Sequence, residues 1–114
     1  MRKIIEIILS GFESNQYETN IDKKKLQKVA RMLNAQLKKI GAVTSKLKVN
    51  HVDISGFVQF PNQLITVSLS NVGWNECRDV MIRTAEHEKD YTGGMNNWLP
   101  LNEDLMIGIK NFTS

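Results

Sequence analysis

Between Asp22 and Ile40 the apolar residues Leu26, Val29, Ala30, Leu33, Leu37 and Ile40 recur mostly at intervals of three and four. At 100° per residue they fall within about 100° of one another, which predicts an amphipathic helix. Asp22, or Asn20 just before it, suits the N-terminal cap. Lys38 and Lys39 suit the last turn, where cations complement the helix dipole, and Gly41 suits the end. On the same wheel Lys24, Lys28, Arg31, Lys38 and Lys39 lie opposite the apolar stripe, as a solvent-facing basic ridge roughly 22 Å long at 1.5 Å per residue.

Elsewhere the period is shorter. Arg2 to Leu9 is short and rich in Ile, and reads as a strand at the centre of a sheet. Gly11 to Asn20 is polar and aperiodic, a linker into the helix. After Gly41, the residues Leu47, Val49, His51 or Val52, and Ile54 read as one extended segment. Gly56 to Phe60 reads as a short strand entering a turn at Pro61 and Asn62. Leu64 to Ser70 alternates, with Ile65, Val67 and Leu69 on one face. Asn71 to Asp79 has turn composition. Val80 to Ala85 follows as a strand with Val80, Ile82 and Thr84 on one face, although Met81 to Lys89 also fits a helix. Asp90 to Asn102, with Gly93, Gly94, three Asn and Pro100, reads as a loop carrying Tyr91, Met95, Trp98 and Leu99. Leu105, Ile107 and Ile109 alternate with Met106, Gly108 and Lys110, a closing strand. The expected fold is α+β: a mainly antiparallel sheet of four or five strands with one face covered by the long amphipathic helix, through Leu26, Val29, Leu33, Leu37 and Ile40. If Met81 to Lys89 were helical, a two-helix sandwich would replace it.

Length adds one constraint: 114 residues suffice for one core and are too few for two ordinary domains, so residues 1–114 are expected to form a single domain. The 41% apolar and 24% charged content fits a water-soluble protein, and no window reaches the roughly 18 apolar residues that a membrane-spanning helix needs. Glu6 interrupts the N-terminal apolar run and no small-residue cleavage pattern follows closely, so the expected location is cytoplasmic. Cys77 is the only cysteine, which rules out an internal disulfide and a cysteine-based zinc cluster. No cofactor or metal is expected.

Charge alters the functional picture most. The net charge is +3, but residues 22 to 48 hold nine Lys or Arg against Asp22 alone, a local +8. The flanks are acidic, at −1 for residues 1 to 21 and −4 for residues 49 to 114. A field polarised in this way attracts a partner rich in acidic or phosphate groups. Several cations at helical spacing can follow a nucleic-acid backbone without reading bases, and with Arg31 the only arginine on the ridge, bidentate guanine recognition is not indicated. The competing interpretation is a plain solvated lysine face. Tyr91 and Trp98 offer base stacking or a protein anchor, against the alternative that they merely cover an edge of the core.

Catalytic patterns are weak. His87 between Glu86 and Glu88, with Arg83 and Lys89 near, supplies acid, base and ligand groups, but the order does not match the zincin spacing. On a strand His87 would point away from both glutamates. Cys77 reads as a packed small hydrophobe, Gly93-Gly94 lacks the phosphate-loop spacing, and Glu103-Asp104 lacks the ligand set of an EF-hand. The expectation is a non-enzymatic binding protein. Its leading partner is nucleic acid, held by Lys24, Lys28, Arg31, Lys38 and Lys39 with Tyr91 and Trp98. The second choice is an acidic protein contacted by a small regulator or inhibitor, for example from a phage or other mobile element. A homodimer through an exposed edge strand or the Trp98 loop is compatible with either.

Overall fold

The computed structural model describes residues 1–12 and 19–114, and of residues 19–22 the backbone only. Among the described residues three helices and six antiparallel strands form the α+β arrangement. The helices are α1 (Arg2–Leu9), α2 (Thr19–Lys39) and α3 (Leu105–Thr113). The strands are β1 (Thr44–Ser45), β2 (Lys48–Asn50), β3 (Asp53–Gln59), β4 (Leu64–Leu69), β5 (Asp79–Ala85) and β6 (Asn97–Pro100). In the sheet they run in the order β1, β3, β4, β5, β6, with β2 also paired to β3.

The amphipathic helix forms as its periodicity predicts. Leu26, Val29, Ala30, Leu33 and Leu37 are buried, and α2 packs across β1, β2 and β3. Its C-terminus closes on Gly41, whose φ of 115° is open to glycine. The Ala42 N–H donates to the Leu37 carbonyl at 3.0 Å and the Gly41 N–H to the Lys38 carbonyl at 3.1 Å, the paired bonds of a Schellman motif. The N-terminus differs from expectation: α2 starts at Thr19, so Asn20 and Asp22 lie inside the helix and are not its caps. Of the expected linker, residues 13–18 lie outside the described residues, and Thr19 and Asn20 belong to α2.

Both predicted terminal strands are helices. In Arg2–Leu9 the isoleucines fall at positions 4, 5, 7 and 8, a spacing that serves a helix stripe as well as a strand. Packing on α2 decides the outcome: Ile4 is buried, and Ile7 and Ile8 rest against the core. Leu105–Thr113 is also helical, because Leu105, Met106 and Ile109 are buried together with Phe112 packed beside them, at intervals that suit 3.6 residues per turn. The alternating set chosen from sequence fails at Ile107, which is exposed.

The expected single segment from Leu47 to Ile54 is a hairpin. His51, at φ 57°, turns the chain, so Val49 pairs with Ile54 across β2 and β3. β1 and β2 share one register along β3, interrupted at Lys46–Leu47 opposite Gly56. The backbone there is lifted toward α2, and Asn34 of α2 meets it: its Oδ1 accepts from the Leu47 N–H at 2.9 Å and its Nδ2 donates to the Leu47 carbonyl at 3.0 Å. The sheet thus has six strands where four or five were expected, because the row beside β3 is divided into β1 and β2.

Residues 79–85 are the strand β5, and no helix spans 81–89. Of the predicted 90–102 loop, Asn97–Pro100 is the edge strand β6. Strand pairing aligns Ile54, Leu69, Val80 and Leu99 in one row, and Val67 and Ile82 in the next, on the face covered by the helices. One apolar core links Ile4 and Phe12 to Leu105 and Ile109. Asn75 fastens the chain after α1 to it: its Oδ1 accepts from the Phe12 N–H at 2.7 Å and its Nδ2 donates to the Phe12 carbonyl at 2.9 Å.

Candidate nucleic-acid interface

Packing of α2 on the sheet turns Lys24, Lys28, Arg31, Lys38 and Lys39 outward, and all five are exposed. Among the described residues none of them lies within salt-bridge distance of a carboxylate. No acidic residue occurs between Lys23 and Lys48, so the ridge is not neutralised from its own segment. The other cations of that segment are divided in use. Lys25 is turned to the flank, where its Nζ donates to Ser10 Oγ at 2.9 Å and to the Gly11 carbonyl and stands 4.8 Å from the centre of the Phe12 ring. It ties α2 to the end of α1. Lys46 on the far side of the sheet pairs with Glu88 at 2.8 Å.

Tyr91 and Trp98 do not join the ridge. The register places Trp98 beside Met81 and Ser68, opposite in parity to Val80 and Leu99 and therefore on the sheet face away from α2. Tyr91 reaches the same face, its ring centred 5.8 Å from that of Phe57. Both are largely exposed, Tyr91 at 72% and Trp98 at 60%. The seven residues expected to act together thus form two groups with both α2 and the sheet between them.

Beneath Tyr91, Arg83 is only 7% exposed. Its guanidinium donates to the Asp90 carbonyl at 3.1 Å and, at a long 3.5 Å, to Thr66 Oγ1. Burying Arg83 is what sequence reasoning missed; its place next to Thr66 on the face away from α2 follows from the β4–β5 register. The loop above it is organised by Asp90, whose carboxylate accepts the amides of Gly93 at 2.7 Å, Glu86 at 3.1 Å and Thr92 at 3.3 Å. Those bonds favour the charged form and hold its pKa below the ordinary value.

Two of the residues considered for catalysis have other partners among the described residues. Glu88 is engaged with Lys46, and His87 Nδ1 accepts the Lys89 N–H at 3.1 Å. Cys77 is half-buried, and burial together with the carboxylates of Asp79 and Asp53 pushes its thiol up to about 11, the reverse of an activated nucleophile. Among the described residues no group of three or more His, Cys, Asp or Glu side chains is placed to hold a metal. A cleft of about 300 Å³ between β6 and α3 is lined by Leu99, Pro100, Leu105 and Ile107 and carries one ionisable side chain, Asp104. No helix among the described residues is long and apolar enough to cross a membrane.

The open edge of the sheet bears on association between copies. The Leu101 N–H donates to the Arg78 carbonyl at 2.9 Å, so antiparallel alternation turns Asn97 and Leu99 toward β5 and leaves Trp98 and Pro100 facing outward. Pro100 has no N–H to offer, which weakens this edge as a template for another strand. Comparison with family models, curated proteins and solved structures returns no match.

Proposed function

We propose that this chain is a small non-enzymatic binding protein of the cytoplasm that contacts nucleic-acid phosphates through the outer face of α2. The observation that carries the reading is the joint exposure of Lys24, Lys28, Arg31, Lys38 and Lys39 on one rigid helix whose opposite side is locked into the core. Long cationic side chains on a fixed element displace counterions along a phosphate backbone and gain affinity that falls steeply with salt. Lysine predominates, so contact is to the backbone and largely independent of sequence.

The test is binding of labelled DNA and RNA at several salt concentrations by the full chain and by a variant with Lys24, Lys28 and Lys38 changed to Gln. Saturable, salt-dependent binding that weakens in the folded variant is expected. Absence of binding near 50 mM salt would overturn the reading. A second reading, a protein partner, is favoured by Trp98 and Tyr91 exposed away from α2, and there Trp98→Ala would remove affinity while the ridge substitutions would not.

A further inference from the structure

We infer that the partner of the α2 ridge is double-stranded DNA, with the helix lying in the major groove; this rests on the nucleic-acid reading above and narrows it to one class. The first reason is the separation of cations from aromatics. Proteins that hold unpaired strands combine a basic track with rings on which bases stack. α2 contains no Phe, Tyr or Trp, and the exposed rings of Tyr91 and Trp98 lie across the sheet. Among the described residues the ridge offers charge on a convex rod without an aromatic ring on which an unpaired base can stack.

The second reason is the arrangement of the charges. Lys24, Lys28 and Arg31 form one group and Lys38 with Lys39 another, and the interval from Arg31 to Lys38 spans about 10.5 Å at 1.5 Å per residue. Ala35, exposed, lies within that interval, and on the helical wheel it falls near the middle of the ridge. The short side chain leaves the helix backbone free to approach a surface between two sets of long cations. The major groove of B-form DNA, about 12 Å wide between phosphate walls, admits a helix of this kind. In that pose Arg31 and Lys38 on one flank of the ridge, and Lys28 and Lys39 on the other, reach the two phosphate walls, and Ala35 between them faces the base edges. The A-form major groove of duplex RNA is too narrow and deep for the same approach.

The experiment compares a labelled DNA duplex, its separate strands and a duplex RNA of the same sequence, by anisotropy at one low salt concentration. It uses the full chain, a Lys24, Lys28 and Lys38→Gln variant and a Tyr91→Ala, Trp98→Ala variant, with folding checked by circular dichroism. Expected is DNA-duplex affinity at least tenfold above either strand and above duplex RNA, lost in the lysine variant and unchanged in the aromatic one. Equal or tighter binding of single strands, equal binding of duplex RNA, or loss of duplex binding in the aromatic variant would overturn the groove assignment and leave phosphate contact standing. No binding to any of the three would overturn both.

Discussion

Asn34 and Leu47 are joined by two hydrogen bonds, the Leu47 N–H to Asn34 Oδ1 at 2.9 Å and Asn34 Nδ2 to the Leu47 carbonyl at 3.0 Å. A helix side chain thereby takes the place of a strand where the ladder between β1 and β2 is interrupted. Asn34 Oδ1 also accepts from Ser45 Oγ at 2.7 Å, so one amide fixes α2 to the sheet edge at two residues. Replacing Asn34 by Ala leaves two partly buried backbone groups without partners. We expect a loss of about 2–4 kcal/mol in urea unfolding, from the usual cost of unsatisfied groups. A loss near zero would mean that water replaces the amide without penalty.

Gly56 is the other half of that junction. A Cβ at this position would collide with the Lys46 carbonyl oxygen and lie 2.9 Å from Leu47 Cα, both backbone atoms of the lifted segment. Backbone cannot rotate away as a side chain can. Gly56→Ala should therefore cost about 3 kcal/mol or more, at or beyond the upper end of ordinary overpacking. Thermal unfolding measures it, and an unchanged midpoint would show that the β1–β2 row moves freely.

The two junction residues also show what the sequence could disclose. The α2 stripe was legible because its burial comes from one face of one helix, and β4 and β5 because hydrogen-bonded neighbours on both sides enforce alternation. The terminal segments were not, because Ile4, Ile5, Ile7 and Ile8 satisfy either period and only the presence of α2 beside them selects the helix. In α3 the set Leu105, Met106, Ile109 and Phe112 was available as a helical stripe, but Ile107 completed a rival alternation. The ridge residues were identifiable from spacing. That Trp98 faces away from them depends on the register of β6 against β5, and that Tyr91 does so depends on its packing against Phe57, neither of which composition encodes.

Asp90 makes the loop over Arg83 sensitive to acid. Its pKa is lowered chiefly by the Glu86 and Gly93 amides, so the charged form is favoured in the folded loop. A depressed carboxylate pKa contributes its stabilisation above the unfolded value and loses it as pH falls through the folded one. The loop should hold its structure through neutral pH and down past the ordinary aspartate value of about 3.9. The Gly93 amide shift in NMR should report a transition below that point, and Asp90→Asn should weaken the loop bonds at neutral pH. A midpoint at or above the ordinary value would contradict the bonding described.

Cys77 should resist alkylation. A thiol pushed from 9.0 up to about 11 has little thiolate at pH 8, roughly a hundredfold less than an unperturbed one, and reactivity follows the thiolate. Iodoacetamide should modify the native protein far more slowly than the urea-unfolded protein at the same pH. The folded state favours the neutral thiol, so this contribution to stability is constant below pH 9.0 and declines as pH rises toward 11. Equal rates in native and unfolded protein would refute the burial on which the shift depends.

Lys24 and Lys25 are adjacent in sequence and opposite in expected effect. Lys24 projects from the ridge, whereas Lys25 holds Ser10, Gly11 and the Phe12 ring. Lys25→Met should lower stability by about 1 kcal/mol, the usual net size of such bonds. It should leave the salt dependence of DNA binding unchanged. Lys24→Met should leave stability within about 0.5 kcal/mol, as for most surface changes. It should reduce the slope of log K against log salt by about 0.9, the value for one phosphate contact on B-form DNA. Urea unfolding and a salt titration on the same two proteins separate these effects. If both substitutions changed the slope alike, the ridge would be a diffuse field and the outward face of α2 would have no particular claim to the phosphates.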